Sequence, residues 1–136
     1  MSNDTTPGRV TGIGGIFFKV ADPAASLAWY QQHLGIQPGE GFPGSIFRWR
    51  TEETQAEAST IWSLFASDTS YFGPPGGAQH MVNYRVDDLD ALLAKLEAAG
   101  VTILPQREDS AEMGRFAWVV DPNGHRIELW QPPEGM

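Results

Sequence analysis

Two hydrophobic patterns follow each other near the start of the chain. Apolar residues alternate along residues 12–20, which predicts a strand with Ile16, Phe18 and Val20 on its buried side. Residues 22–35 then carry apolar residues at helical spacing. Asp22 is suited to cap this helix and Gly35 to end it, so the segment is predicted to be one complete helix.

The same pair of patterns returns in the second half of the chain. Residues 80–86 read as a strand, and residues 87–100 read as a helix from an Asp87 cap to a terminal glycine. In both halves two or three short strands follow the helix. The Gly- and Pro-rich residues 67–79 between the halves read as a linker. An internal repeat of this kind decides the fold.

The repeat predicts one domain built from two units. We expect a flexible arm over residues 1–9 and a single domain over residues 10–136. The two βαβββ modules are expected at about residues 10–66 and 79–133. The predicted class is α+β, with a curved, mostly antiparallel sheet around a cleft and the helices behind the sheet.

Strand alternation predicts which side chains face the cleft. In the last strand Ile127 and Leu129 are expected on the helix side, so Glu128 and Trp130 face the cleft. The same reasoning in the other strands yields a mostly apolar lining, as in small-molecule sites. The predicted lining consists of Gly15, Phe17, Ser63, Phe65, Met81, Asn83, Glu128 and Trp130.

Composition excludes several classes of function. The 136 residues contain no cysteine, so disulfides, thiol nucleophiles and thiolate metal sites are excluded. The formal net charge of −8 disfavours nucleic acid and anionic membranes as partners. The sequence shows neither an apolar run long enough to span a membrane nor a signal-peptide pattern, and we expect a cytoplasmic protein.

Three segments resemble a known family. They are "VADPAASLAWYQQHLG", "YRVDDLDALLAKLEAAGV" and "GRFAWVVDPNGHRIELW". Together they are similar to the vicinal oxygen chelate superfamily, which includes glyoxalase I, bleomycin-resistance proteins and extradiol dioxygenases. The resemblance extends from about Val10 to Pro133 and is more specific for the fold than for the activity.

The resemblance also implies where a metal ion would bind. The family takes one ligand from each of four strands, and these positions correspond here to Gly15, Ser63, Met81 and Glu128. Glycine offers no donor and a thioether is a poor ligand for the family's divalent ions, so no metal cofactor is expected. A bulge at the start of its strand would let His80 join Glu128 as a fallback pair, still one ligand short of a usual catalytic site.

Other polar residues carry weaker signals. His33 and His125 are expected at the surface. "GIGG" in residues 12–15 lacks phosphate-loop spacing, which suggests a bend or a close approach.

A carboxylate in an aromatic cleft must be paired or hydrogen-bonded. The candidate partners of Glu128 are the side chains of Asn83, Ser63, Arg126 and Arg115.

Three hypotheses for function follow. The first is a metal-free protein that binds, and sequesters, an aromatic or cationic compound, as the resistance proteins of the family do; the resemblance implies a homodimer. The second is a metal-dependent or Glu-based lyase, isomerase or dioxygenase-like enzyme with Glu128 as its base. The third is a vestigial cleft, filled by its own side chains, in a domain that serves protein–protein contact. The expected ligand contacts are Phe17, Ser63, Phe65, Met81, Asn83, Trp118, Glu128 and Trp130.

Overall fold

The structure, a computed structural model, describes residues 7–51, 54–74 and 76–136. Seven strands and two helices follow each other along these residues. They are β1 (Val10–Val20), α1 (Pro23–Leu34), β2 (Gly44–Arg50), β3 (Glu57–Ala66), β4 (His80–Val86), α2 (Leu89–Ala98), β5 (Thr102–Ser110), β6 (Gly114–Val120) and β7 (Arg126–Gln131).

All seven strands belong to one sheet, in the order β2-β3-β1-β4-β7-β6-β5. The pairs β1–β3 and β4–β7 are parallel, and the other four pairs are antiparallel. The antiparallel pair β1–β4 joins the two modules at the centre of the sheet. The predicted α+β class with a mostly antiparallel sheet is therefore confirmed.

The two modules differ in strand number. The second has three strands after its helix, β5, β6 and β7, whereas the first has β2 and β3 within the described residues. The βαβββ prediction is thus one strand too long for the part of the first module that the structure describes. As a result, β2 is the last strand at its end of the sheet.

The first helix has the ends that the sequence predicts. The Asp22 carboxylate accepts a hydrogen bond from the Ala25 amide at 3.1 Å, and Pro23 occupies the first turn. Gly35 ends the helix in the left-handed conformation, at a φ of 69°, which glycine adopts without steric cost.

The second helix begins one residue later than predicted. Its cap is Asp88, which accepts from the Ala91 amide at 3.0 Å. Asp87 instead accepts hydrogen bonds from the amides of Gly8 and Arg9. Residues 7–9 of the expected flexible arm are therefore held against the domain, and residues 1–6 lie outside the described residues.

The helix-facing side of the sheet carries the core of the second module. A cluster of buried side chains from β4, α2, β6 and β7 packs there, and burial of such apolar surface is the main driving force for folding. The buried members of the cluster are Val86, Leu89, Ala117, Val119 and Leu129.

In the described residues, neither helix is long and apolar enough to cross a membrane.

Truncation of this core should destabilise the fold. We expect Leu129→Ala to lower the free energy of unfolding by about 2–5 kcal/mol, because it removes buried methyl groups and leaves a cavity. Leu34→Ala, at a residue that is 61% exposed, should change it by less than about 1 kcal/mol. Urea denaturation measures both, and equal losses would contradict the placement of Leu129 in the core.

Candidate functional site

Glu128 lies in the middle of the sheet, on the face away from the helices. The register places it beside Asn83 of β4 on one side and Trp118 of β6 on the other. Its side chain is only 1% exposed. A buried carboxyl group must have its oxygens satisfied by donors, so its neighbours determine what the site can do.

Three uncharged groups donate hydrogen bonds to this carboxyl group. The Asn83 amide nitrogen donates to Oε1 at 2.6 Å. Oε2 accepts from the indole N–H of Trp118 at 2.9 Å and from the hydroxyl group of Tyr71. Asn83 and Trp118 are both fixed by the sheet, whereas Tyr71 reaches the carboxyl group from the linker.

The expected ionic partners lie elsewhere. Arg115 bonds to the carboxylates of Asp90 and Asp109. Arg126 donates from Nη1 to the Tyr71 carbonyl oxygen at 3.3 Å rather than to Glu128. Among the described residues, no cationic side chain forms an ion pair with Glu128, and its hydrogen-bond partners are all neutral.

Burial has the largest effect on the pKa values of Glu128 and Tyr71. It raises the pKa of Glu128, while the bonds from Tyr71, Asn83 and Trp118 oppose that rise by favouring the carboxylate. Burial also raises the pKa of the Tyr71 hydroxyl, and the nearby Glu128 charge adds to the rise. Tyr71 therefore acts as a hydrogen-bond donor at neutral pH and not as a phenolate.

Sequence reasoning missed Tyr71 because it treated residues 67–79 as a connector. The ring of Tyr71 stacks on Phe65 with centroids 5.3 Å apart and an interplanar angle of 14°. Phe72, the next residue, is 2% exposed. Two adjacent aromatic residues in an otherwise polar, Gly- and Pro-rich segment were the signal that this segment packs onto the domain.

Most of the predicted lining residues around the carboxyl group are apolar, and several of them pack together. Phe17, Met81 and Trp118 form a buried apolar cluster with Phe72, and Phe65 packs against it. Ser63 is on the same face, but its hydroxyl group forms no hydrogen bond with Glu128 within the described residues.

Trp130 lies two residues further along β7. Its indole N–H donates to the Met113 carbonyl at 2.7 Å, and its ring stacks on Phe116 at 6.1 Å. The Arg85 guanidinium lies over the same ring at 5.3 Å. Trp130 is therefore buried by its own neighbours and belongs to the floor beside the carboxyl group.

Glycines allow β1 to approach these groups closely. Gly14 is an extra residue in the β1–β4 pairing, at a register shift between Ile13 and Gly15. A Cβ atom at Gly14 would overlap Oδ1 of Asn83. The glycine-rich start of β1 is thus required for the close approach of Asn83, as its composition suggested.

The donor set does not fit the metal site that the resemblance implies. The ring of Phe17 lies over Gly15, with its Cε1 atom 2.6 Å from the position a Cβ would take, so a ligand side chain would collide with the ring. Met81 is 2% exposed and packs in the apolar cluster. In the described part of the chain, no three His, Asp or Glu side chains are grouped to hold a metal ion.

The fallback pair of His80 and Glu128 does not form. The imidazole ring of His80 stacks on Phe18, with centroids 5.9 Å apart and an interplanar angle of 19°. Phe18 also contacts Tyr30 of α1, which places His80 on the helix-facing side of the sheet. The ordinary strand alternation therefore holds at the start of β4, and the bulge that would have turned His80 is absent there.

One cavity in the described residues lies away from Glu128. A cavity of about 200 Å³ is lined by residues of β2 and β3 at one end of the sheet. Its lining shares no residue with the group that surrounds the carboxyl group. The lining consists of Arg48, Trp49, Arg50, Glu57 and Ala58.

Comparison with known families agrees with the fold. A model of the glyoxalase/bleomycin resistance protein/dioxygenase superfamily matches residues 12–129. The chain belongs to this superfamily.

Solved structures show the same fold. The methylmalonyl-CoA epimerase of Mycobacterium tuberculosis is 25% identical, with a TM-score of 0.57, and the match covers 95% of this chain and 92% of that one. A Streptomyces coelicolor methylmalonyl-CoA epimerase variant, bound to 2-nitronate-propionyl-CoA, is 18% identical with a TM-score of 0.64, and covers 91% and 99% of the two chains.

Curated relatives match over shorter stretches. The anthracycline biosynthesis protein DnrV of Streptomyces peucetius is 35% identical over an alignment of 72 positions, and the match covers 47% of this chain and 26% of that protein. The Mycobacterium tuberculosis protein CFP32 is 39% identical over 59 residues, 43% of this chain and 23% of that protein. The matched part of the chain spans about a quarter of the length of these relatives.

Glu128 should make stability depend on pH. Because its pKa is raised in the folded state, the protein loses stability as pH rises from the ordinary carboxyl range through the folded-state value. Glu128→Gln removes this titration, so its stability relative to the wild type should increase from about pH 4, in the ordinary carboxyl range, to pH 8. Urea denaturation at both values tests this. Glu97→Gln, at an exposed position, is the control, and an unchanged difference for Glu128→Gln would contradict the prediction.

Proposed function

We propose that this chain is a metal-free member of its superfamily that binds a small molecule on the face of the sheet around Glu128. The observation that carries the proposal is the environment of this carboxyl group. It is buried, it is held by three neutral donors, and it stands at the one metal-ligand position that still has an acidic side chain. The group thus keeps a defined position without a metal ion.

The ligand class follows from the surroundings of the carboxyl group. Aromatic rings of Phe17, Phe65, Tyr71 and Trp118 lie around it, and aromatic faces attract cations as well as planar apolar groups. The carboxyl group has no ionic partner in the described residues and can supply the negative charge for one. An aromatic or cationic compound therefore fits best, and sequestration requires only tight binding without turnover.

The filled site also bears on the vestigial hypothesis. That hypothesis expects a cleft occupied by the protein's own side chains, and Tyr71 and Phe72 do occupy this one. We favour binding because both residues come from the linker and not from the strands of the sheet. The name of one relative, an anthracycline biosynthesis protein, also fits a small-molecule role.

An enzyme that uses Glu128 as a base is the second candidate. The raised pKa of Glu128 favours this second candidate, because a general base with a higher pKa accepts a proton more readily. Asn83 and Trp118 would hold the carboxyl group in position, and Glu128 would take a proton from the substrate and return it. Several structural neighbours are epimerases, which keeps this chemistry in view.

Metal content and ligand binding distinguish these functions. Protein purified without a histidine tag should contain no near-stoichiometric transition metal by elemental analysis, before or after chelation. Aromatic amines should raise its melting temperature with or without chelator, and Glu128→Gln should weaken their binding by about tenfold, because a charged hydrogen bond is lost. Stoichiometric metal would contradict the proposal, and turnover abolished by Glu128→Gln would favour the enzyme.

We further propose a homodimer formed through β2. This strand is at the end of the sheet, and within the described residues no strand pairs with its outer edge. Two of its large apolar side chains are exposed, Ile46 at 37% and Phe47 at 47%. An exposed edge strand with apolar side chains tends to pair with another strand, and two antiparallel copies of β2 would satisfy a twofold axis.

Sedimentation velocity tests this interface. The wild type should sediment as a dimer, and Phe47→Lys should shift it to monomer because a charge on the edge opposes pairing. Trp29→Lys, at a residue of α1 that is 53% exposed, is the matched control and should leave the dimer intact. A monomeric wild type at micromolar concentration would overturn the homodimer.

A further inference from the structure

The linker between the modules covers the carboxyl group of Glu128. Tyr71 donates its hydroxyl hydrogen bond to Oε2, and its ring lies edge-on to Trp118 with centroids 6.1 Å apart. Phe72 packs with the apolar cluster below, and the Lys19 ammonium group lies 5.7 Å from the centre of its ring. Since Glu128 is 1% exposed, a ligand can reach it only if a covering group moves.

The covering segment is attached to the sheet in a different way from the strands. Its backbone hydrogen bonds are local turns, from the Thr69 amide to the Ala66 carbonyl and from the Gly73 amide to the Ser70 carbonyl. The Tyr71 amide bonds to the Thr69 hydroxyl at 3.2 Å. In the described residues no backbone–backbone hydrogen bond joins the segment from Ser70 to Gly73 to the sheet, although Arg126 of β7 donates from its side chain to the Tyr71 carbonyl oxygen at 3.3 Å. The segment can therefore lift without breaking a strand pairing.

The other groups around the carboxyl group have no such freedom. Asn83 belongs to β4, which pairs with β1 and β7 over most of its length. Trp118 belongs to β6, which pairs with β5 and β7. Movement of either residue would break the ladder of the central sheet. The linker is therefore the segment around Glu128 that can be displaced with the fewest hydrogen bonds broken.

We propose that residues 67–74 form a lid over Glu128. In the closed state the Tyr71 hydroxyl donates to Oε2, and in the open state a hydrogen-bond donor of the ligand takes its place. The ligand's N–H or O–H group replaces the Tyr71 hydroxyl at Oε2, and the ligand's apolar part takes the place of the two aromatic rings. This inference rests on the proposed binding function, and it makes Tyr71 the residue that determines specificity for donor-bearing ligands.

The ligand class becomes narrower as a result. An ammonium group carries several donors and a positive charge, so it replaces the neutral hydroxyl with a charge-assisted bond, which is stronger. A ring beside the ammonium group matches the volume that the phenol and phenyl rings leave. An aromatic amine of about the size of benzylamine is the smallest molecule with both features. A carboxylate or phosphate ligand is disfavoured next to Glu128.

Benzylammonium serves as the probe. We expect Tyr71→Phe to bind it about tenfold more tightly than the wild type, because the variant keeps the ring but loses the hydroxyl that competes for Oε2. The indole N–H resonance of Trp118 should shift during the titration, since this group shares Oε2 with Tyr71. Benzyl alcohol, which has no charge, should gain much less from the same substitution.

Tyr84→Phe is the matched control. Tyr84 lies on β4 and packs against the helix-side cluster, so its hydroxyl is on the opposite face from Glu128. This variant should bind benzylammonium with the wild-type affinity. Glu128→Gln combined with Tyr71→Phe should abolish the gain, which separates a role of the carboxyl group from a general loosening of the linker.

Two outcomes would overturn the lid. Equal affinity of the wild type and Tyr71→Phe, with the Trp118 resonance shifted in both, would show that ligand binds here without displacing Tyr71; the proposed binding function would then stand. A lack of binding by Tyr71→Phe would show that the freed carboxyl group does not accept an amine. The binding screen described above then decides whether the function fails as well.

Amide hydrogen exchange offers a readout without ligand. The Tyr71 and Gly73 amides should exchange through local opening, much faster than the amides of β7 and at a rate insensitive to mild denaturant. Exchange of these amides only together with β7, through global unfolding, would contradict a movable lid.

Discussion

The buried carboxyl group of Glu128 is the constraint on which the rest of the concave face depends. A carboxyl group at 1% exposure is tolerated only with donors at both oxygens. The sheet supplies two of them by register, because β4 and β6 flank β7 and bring Asn83 and Trp118 to the same level. The third donor, Tyr71, comes from outside the sheet, and its hydrogen bond holds the linker against the site. One acidic side chain thus couples the central strands to the connection between the modules.

In the metal-free function proposed above, neutral donors take the part that a metal ion would have. At the ligand positions that the resemblance implies, three strands carry a glycine, a serine and a thioether, and the fourth carries Glu128. The remaining acidic group would be left buried without a partner, which is costly. Neutral donors reduce that cost without demanding a matching charge. The surrounding rings then complete a site that is mostly apolar around this carboxyl group.

Much of the fold was predictable from the sequence, because the repeat sets it. The matching helices of the two halves and the alternation in β1, β4 and β7 separate the helix side from the concave side, including the opposite orientations of His80 and Met81. The expected burial in β1 is wrong in part, because Ile16 is 37% exposed whereas Phe17 on the concave side is buried. The cap at Asp88 was displaced by one residue because Asp87 is an equally good cap and is engaged by the N-terminal residues. Within the described residues the first module has two strands after its helix where the βαβββ unit predicts three, because the repeat is imperfect there.

The site was less predictable, since its third donor depends on tertiary contacts. Strand periodicity identifies Asn83 and Glu128 as neighbours on one face, but no local pattern says how a Gly- and Pro-rich segment folds back. Composition pointed to a solvated connector, whereas burial of Phe72 and stacking of Tyr71 on Phe65 decide its path. The assignment of Arg115 failed for a similar reason, because Asp90 and Asp109 compete for it.

The position of the Phe17 ring over Gly15 restricts which substitutions could place a ligand side chain at position 15. A histidine at position 15 would collide with that ring, and a smaller residue at position 17 would leave a hole while position 15 remains glycine. Neither single substitution is therefore favourable, and only a paired change at positions 15 and 17 avoids both costs. The ring thus couples the two positions, so that a donor side chain at position 15 requires two substitutions at once.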